Sequence, residues 1–402
     1  MTYDLLLRGG HVLDPGMGLD ARLDIAITGA RIAAIEPSIP AQDASHVIDV
    51  HGPSRYVVPG LLDIHTHVAY GATTPGVGMA CVDPDLAGIG SGVTTVVDAG
   101  SVGVANVGVF GAHILPRART RVLVYVNLGS FAHTTAAADI ARLEDIDRTA
   151  ILRCIEASPG LIAGIKLRLV GPVVHEAGET VVETAKRLSN EAGVPLMVHI
   201  GDGQWPDRQR ATDVTRRLIE TLGRGDILTH LCTPHPGGVD DTDGRPLPEL
   251  EAARSRGVIF DSALGRGNFG YETAVRHADL GLHPDTVSSD ITGMGRRHGV
   301  GLLDGLAKFM AVGYRLADVI RMATANAAAA IGMADQLGAI AVGREADLSI
   351  IDVVGGDWQF TDTLGRHFGG QQALVPVHTV RAGELVAPDW GPYPGGWLPP
   401  LR

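Results

Sequence analysis

Apolar runs of strand length alternate with helical patterns along most of this chain. Residues 1–55 hold short apolar or alternating runs, such as 4–8, 23–27 and 31–35, separated by Gly9-Gly10, Asp14-Pro15-Gly16 and Thr28-Gly29. Gly, Pro and Asp at such breaks mark turns between strands. The same grammar returns at 346–352 and 378–383, so the two ends are expected to pair into one small β domain. Between them lie eight strand candidates: 61–67, 93–99, 122–128, 162–168, 195–200, 226–231, 258–263 and 286–291. Helical stretches separate most of these, most clearly 180–188 and 316–323. Eight βα units over this length predict an α/β fold, a (β/α)8 TIM barrel with its active-site groups at the C-terminal strand ends. The expected division is a barrel over 56–340 and a small β-sandwich domain from 1–55 and 341–402.

Side chains two apart in a strand share a face. In 61–67 that rule puts His65 and His67 together and assigns Leu62 and Ile64 to the face under the helices. In 162–168 it gives Ala163, Ile165 and Leu167 to the helices and turns Lys166 inward. His199, His230 and Asp290 fall inward at the ends of three later strands. Each alone has an ordinary reading: a strand histidine satisfied in the core, a lysine in an internal ion pair, an aspartate capping a turn. Together they place four histidines, one lysine and one aspartate on one rim. Barrel geometry converges those positions, so the set reads as a metal site. Imidazole and carboxylate donors without thiolate suit Zn²⁺ best, with Mn²⁺, Fe²⁺ and Co²⁺ as alternatives.

Composition narrows the class of partner. The chain has 402 residues and a net charge of −12, which argues against nucleic acid and leaves a small-molecule substrate. No apolar run has the length of a membrane span. Three distant cysteines, Cys81, Cys154 and Cys232, form no disulfide framework and predict the cytoplasm. Arg168, two residues beyond Lys166 on the same face, is a candidate clamp for a substrate carboxylate, with a rim salt bridge as its other reading. Tyr70, Asn127, His235, Arg266 and Asn268 lie on expected βα loops and are further substrate-binding candidates.

The segments VVPGLLDIHTH (57–67), GIKLR (164–168), LMVHIG (196–201), LTHL (228–231) and SSD (288–290) resemble the amidohydrolase superfamily. VGREADLSIID (342–352) is similar to the strand that follows the barrel there. TTVVDAG (94–100) and PDTVSSD (284–290) resemble its dihydroorotase-like deacetylase branch, whose members include esterases of acetylated (R)-mandelate. The resemblance covers nearly the whole chain. It implies two divalent metal ions: His65, His67 and Asp290 on one, His199 and His230 on the other. It also implies that Lys166, carboxylated by CO₂ to N6-carboxylysine, bridges them and that Asp290 is the catalytic acid–base. The loops after strands six and seven, 232–238 and 265–270, depart from the branch. The implied activity is hydrolysis of an acyl ester or acyclic amide. Opening of a cyclic amide, as in dihydroorotases and hydantoinases, is the rival, and a non-catalytic scaffold barrel the lesser one. The resemblance also implies a homo-oligomer.

Overall fold

The computed structural model describes residues 2–73, 80–130, 132, 142–203 and 207–402. Five strands come first: β1 (Tyr3–Asp14), β2 (Leu19–Thr28), β3 (Arg31–Glu36), β4 (Ala44–Asp49) and β5 (Arg55–Pro59). Eight follow through the middle: β6 (Leu61–Thr66), β7 (Val93–Ala99), β8 (Arg121–Asn127), β9 (Ile162–Arg168), β10 (Leu196–His199), β11 (Ile227–Thr229), β12 (Ile259–Ala263) and β13 (Thr286–Ser288). Three close the chain: β14 (Leu348–Thr361), β15 (His367–Arg381) and β16 (Glu384–Val386).

The terminal strands form one mixed sheet, β16-β15-β14-β5-β1-β2-β3, with β4 paired to β1. The two chain ends meet where β14 runs antiparallel to β5, from Leu348 opposite Pro59 to Asp352 opposite Arg55. The β domain expected from both termini is therefore present. Arg121 on β8 and Arg381 on β15 both pair with Glu345, tying barrel to terminal sheet.

Strands β6 to β13 follow chain order in a second sheet, parallel throughout. A parallel bridge between Thr66 and Ile291 joins its edges. There the Asp290 N–H donates to the His65 carbonyl at 2.8 Å, and the His67 N–H to the Ile291 carbonyl at 3.0 Å. The TIM barrel thus closes beside the histidine pair. The helices Glu179–Ala192 and Leu316–Met322 fall where periodicity predicts them.

Ile165, Leu167, Val198 and Leu228 pack outward in the layer between strands and helices. Leu62 and Ile64 do not join them. They share a buried cluster with Tyr125, Met197 and Ile227, on the inner face, and Ala163 packs against that cluster too. Simple alternation therefore misplaces Leu62, Ile64 and Ala163. The pairing of β6 with β7 shifts register between Asp63 and Thr66, and that of β8 with β9 between Val124 and Tyr125. Such irregularities break the two-residue period and re-aim side chains. In β6 the shift turns His65 inward directly after the inward Ile64. The helix Ala325–Ala330 joins this inner cluster through Ala327 and Ala328. No helix among the described residues is long and apolar enough to cross a membrane.

Candidate metal centre

The six rim residues lie near or just past the C-terminal ends of five strands. His65 and Lys166 are inside β6 and β9, His199 is the last residue of β10, and His67 and His230 follow β6 and β11. Asp290 stands two residues beyond β13. His230 and Asp290 adopt left-handed backbone conformations, φ 73° and 51°. Such conformations cost L-residues about 1–2 kcal/mol each, so strain is concentrated where these side chains are aimed.

The side chains converge. Lys166 Nζ is 3.2 Å from His65 Nε2. His67 Nε2 is 3.1 Å and His65 Nε2 3.6 Å from Asp290 Oδ1. His230 Nε2 lies 2.8 Å from His199 Nδ1, and the His65 and His230 rings are 4.9 Å apart. Ligand atoms of His65, His67 and Asp290 all lie within 4.8 Å of one another, an arrangement able to hold a metal ion. Lys166 is buried, 2% exposed, with the two pairs of imidazoles around it.

Burial and neighbouring cations favour the neutral form of His65, His199 and His230. Desolvation, then Lys166, pushes His65 well below the ordinary histidine range. Desolvation, then His230 and Arg168, does the same to His199. His230 falls to about 4, burial outweighing the pull of Asp290. Burial works against charge on Asp290, but the hydrogen bond with His67 and the field of His230 hold its carboxyl at about 2. Neutral imidazoles beside an ionised carboxylate are the protonation states in which these groups bind metal.

Outer partners aim the rings. His230 Nδ1 lies 2.8 Å from the Ala263 carbonyl, which can only accept. That nitrogen therefore carries the proton, and Nε2 keeps its lone pair toward His199. His67 Nδ1 meets Ser101 Oγ at 2.8 Å. The Ser101 N–H and the Val68 N–H both donate to Asp98. His65 Nδ1 meets Thr229 Oγ1 at 3.0 Å. Asp63 accepts the N–H groups of Ser289 and His65, fixing backbone between β6 and the end of β13. Thr229, Asp261, Ser101 and Asp98 escaped the sequence reading. For Thr229, Asp261 and Asp98 the one signal was polarity inside otherwise apolar strands; Ser101 lies two residues past β7.

The secondary candidates divide. Arg168 ends β9 and pairs in register with His199. Asn268 is buried and its amide reaches Asp290 Oδ2 at 3.5 Å. Asn127 is also buried, its amide donating to the Gly100 carbonyl and accepting from the Gly129 N–H. His235 lines a polar cavity of about 220 Å³ with Arg208, Thr233 and Thr273. Arg266 is exposed. Tyr70, 58% exposed, borders an 810 Å³ cavity with Cys81, Arg296 and Arg297.

A TIM barrel with such a centre defines a class of metal-dependent hydrolase. The amidohydrolase family profile matches residues 56–386, and the chain belongs to that family. It is a hydrolase acting on amide or ester bonds. A deacetylase of Brucella anthropi is 29% identical over 377 residues, covering 91% of this chain and 90% of the relative. A deacetylase of Enterococcus faecalis is 28% identical, covering 96% of this chain and 99% of the relative. A crystal structure of an adenine deaminase superposes with TM-score 0.85 at 27% identity, covering 96% of this chain and all of that one. A dihydroorotase structure gives 0.82 at 27% identity, covering 96% and 99%.

Proposed function

We propose that this chain is a binuclear metal-dependent deacylase that cleaves an acyl ester or acyclic amide, with acetyl as the leading acyl group. The convergence of His65, His67, Lys166, His199, His230 and Asp290 carries the reading. Full-length similarity to deacetylases supports the acyl preference. His65, His67 and Asp290 would hold one ion, and His199 with His230 the other. Zn²⁺ best suits this donor set.

Lys166, carboxylated to a carbamate, would help hold both ions. Its neutral amine would add to CO₂, forming an N–C bond and releasing one proton, so that an uncharged group becomes an anion suited to lie near two cations. When bound, the ions would supply a Lewis acid for the scissile carbonyl and lower the pKa of the attacking water. Asp290 accepts the proton of that water and passes it to the leaving oxygen or nitrogen. Arg168 receives a substrate carboxylate beside His199, and Asn268 steadies Asp290. The three cysteines are free, which accords with a cytoplasmic location.

Similarity to a dihydroorotase favours the second reading, opening of a cyclic amide. A panel of acetoxy acids, N-acetyl amino acids, dihydroorotate, hydantoins and adenine separates the alternatives. Turnover is expected on the acetylated compounds. Turnover confined to the cyclic compounds or adenine overturns deacylation.

A further inference from the structure

His199, Thr229, Asp261 and Thr286 stand opposite one another in register across β10, β11, β12 and β13. The Thr229 hydroxyl donates to Asp261 Oδ2 at 2.6 Å. Thr286 and Ser288 hydroxyls donate to Asp261 Oδ1, both at 2.8 Å. Thr229, Asp261, Thr286 and Ser288 are buried, so this orientation is shielded from exchange with solvent. A hydroxyl has one proton, and that of Thr229 is committed to the carboxylate. Its oxygen then has only lone pairs to offer His65 Nδ1, 3.0 Å away. Asp261 itself is 3.8 Å from that nitrogen, too far for a direct hydrogen bond.

We infer that Thr229, oriented by Asp261, is a positioning residue that fixes the tautomer of His65. Nδ1 carries the proton and donates it to Thr229. Nε2 keeps its lone pair toward Lys166 Nζ and Asp290 Oδ1. The inference rests on the proposed metal centre, where His65 is a ligand through Nε2. A threonine hydroxyl inserted between imidazole and carboxylate serves the purpose usually served by a direct carboxylate–histidine contact.

The test uses full-length protein labelled with ¹⁵N-histidine, metal-free, with His65→Gln to assign the His65 signals. Wild-type His65 is expected as the Nδ1–H tautomer and Thr229→Val with a shift toward Nε2–H. Thr229→Ser is expected to restore the wild-type pattern. Zn²⁺ affinity, read by chelator competition, should weaken about 10- to 100-fold in Thr229→Val and recover in Thr229→Ser. If the valine variant does not fold, Thr229→Ala carries the comparison. A wild-type Nε2–H tautomer, or unchanged tautomer and Zn²⁺ affinity in both apolar variants, overturns the inference. Wild-type protein that binds no Zn²⁺ overturns the metal centre and the inference with it. Failure of the acetylated substrates alone, with Zn²⁺ binding and tautomer as expected, counts against the deacylase reading only.

Discussion

Lys166 is buried against His65 with its amine 3.2 Å from the imidazole. In the proposed reading only carboxylation makes this side chain a bridge, because an ammonium repels both ions. Lys166→Ala is expected to abolish hydrolysis and lower metal content while the barrel stays folded. Acetate or propionate with added metal should restore part of the activity, and methylamine none. A variant that keeps its metal and near-normal turnover without added acid removes the bridge from the scheme. Arg168, half-buried beside His199, offers a second test. Arg168→Met should weaken acidic substrates by about 2 kcal/mol in kcat/KM and leave neutral substrates with the same scissile bond little changed. Equal losses on both make Arg168 structural.

The elements place these groups through irregularity as much as through regular alternation. The register shift in β6 aims His65, and left-handed turns after β11 and β13 aim His230 and Asp290. The loop after β12 adds a close approach. Gly265 has φ +53°, and a Cβ there falls 2.3 Å from Asp290 Oδ2. Gly265→Ala should therefore displace Asp290, cut kcat at least about 10-fold and loosen metal, with the circular dichroism of the barrel unchanged. Gly267 faces open space, so Gly267→Ala is the control expected to retain activity. Comparable kcat in the two variants removes the steric argument. In the sequence, Gly265 stood in a loop that looked idiosyncratic. Its reason is a contact with a residue 25 positions later, which no local pattern encodes.

At the scale of the molecule, Glu345 joins Arg121 of the barrel to Arg381 of the terminal sheet. Burial alone favours its neutral form, but the charges of Arg121 and Arg381 hold its carboxyl below the ordinary range. A depressed carboxylate stabilises the fold above its unfolded pKa and loses that contribution as pH falls through the folded value. Glu345→Gln should thus cost about 1 kcal/mol at pH 7, with the difference shrinking as pH falls below the ordinary glutamate value of about 4.3. Denaturant midpoints across pH check this, and a difference that does not change with pH counts against it. Bound metal should add to the same stability. At a free concentration one hundred times Kd, one ion contributes about 2.7 kcal/mol. Chelation should lower the melting temperature, and added Zn²⁺ should restore it as about two ions per chain return. A melting temperature unmoved by chelator, in protein shown to have lost its metal, removes that coupling.

The strand and helix periods, the turn residues at both ends and six chemically costly side chains at strand ends were all legible in the chain. They are local facts of spacing and residue type, and together they pointed to the barrel, the β domain from both termini and a candidate set of residues for the centre. The outward placement of Ile165 and Leu167 also followed from alternation. The inward placement of Leu62 and Ile64 did not, because a register shift depends on which neighbour a strand pairs with. The polarity of Thr229 and Asp261 was likewise not enough: a threonine and an aspartate in apolar strands acquire a role only when β11 and β12 lie side by side beneath His65. Which nitrogen of a histidine holds the proton depends on the partner across the barrel. That partner is 164 residues away along the chain, so the tertiary structure alone could decide it.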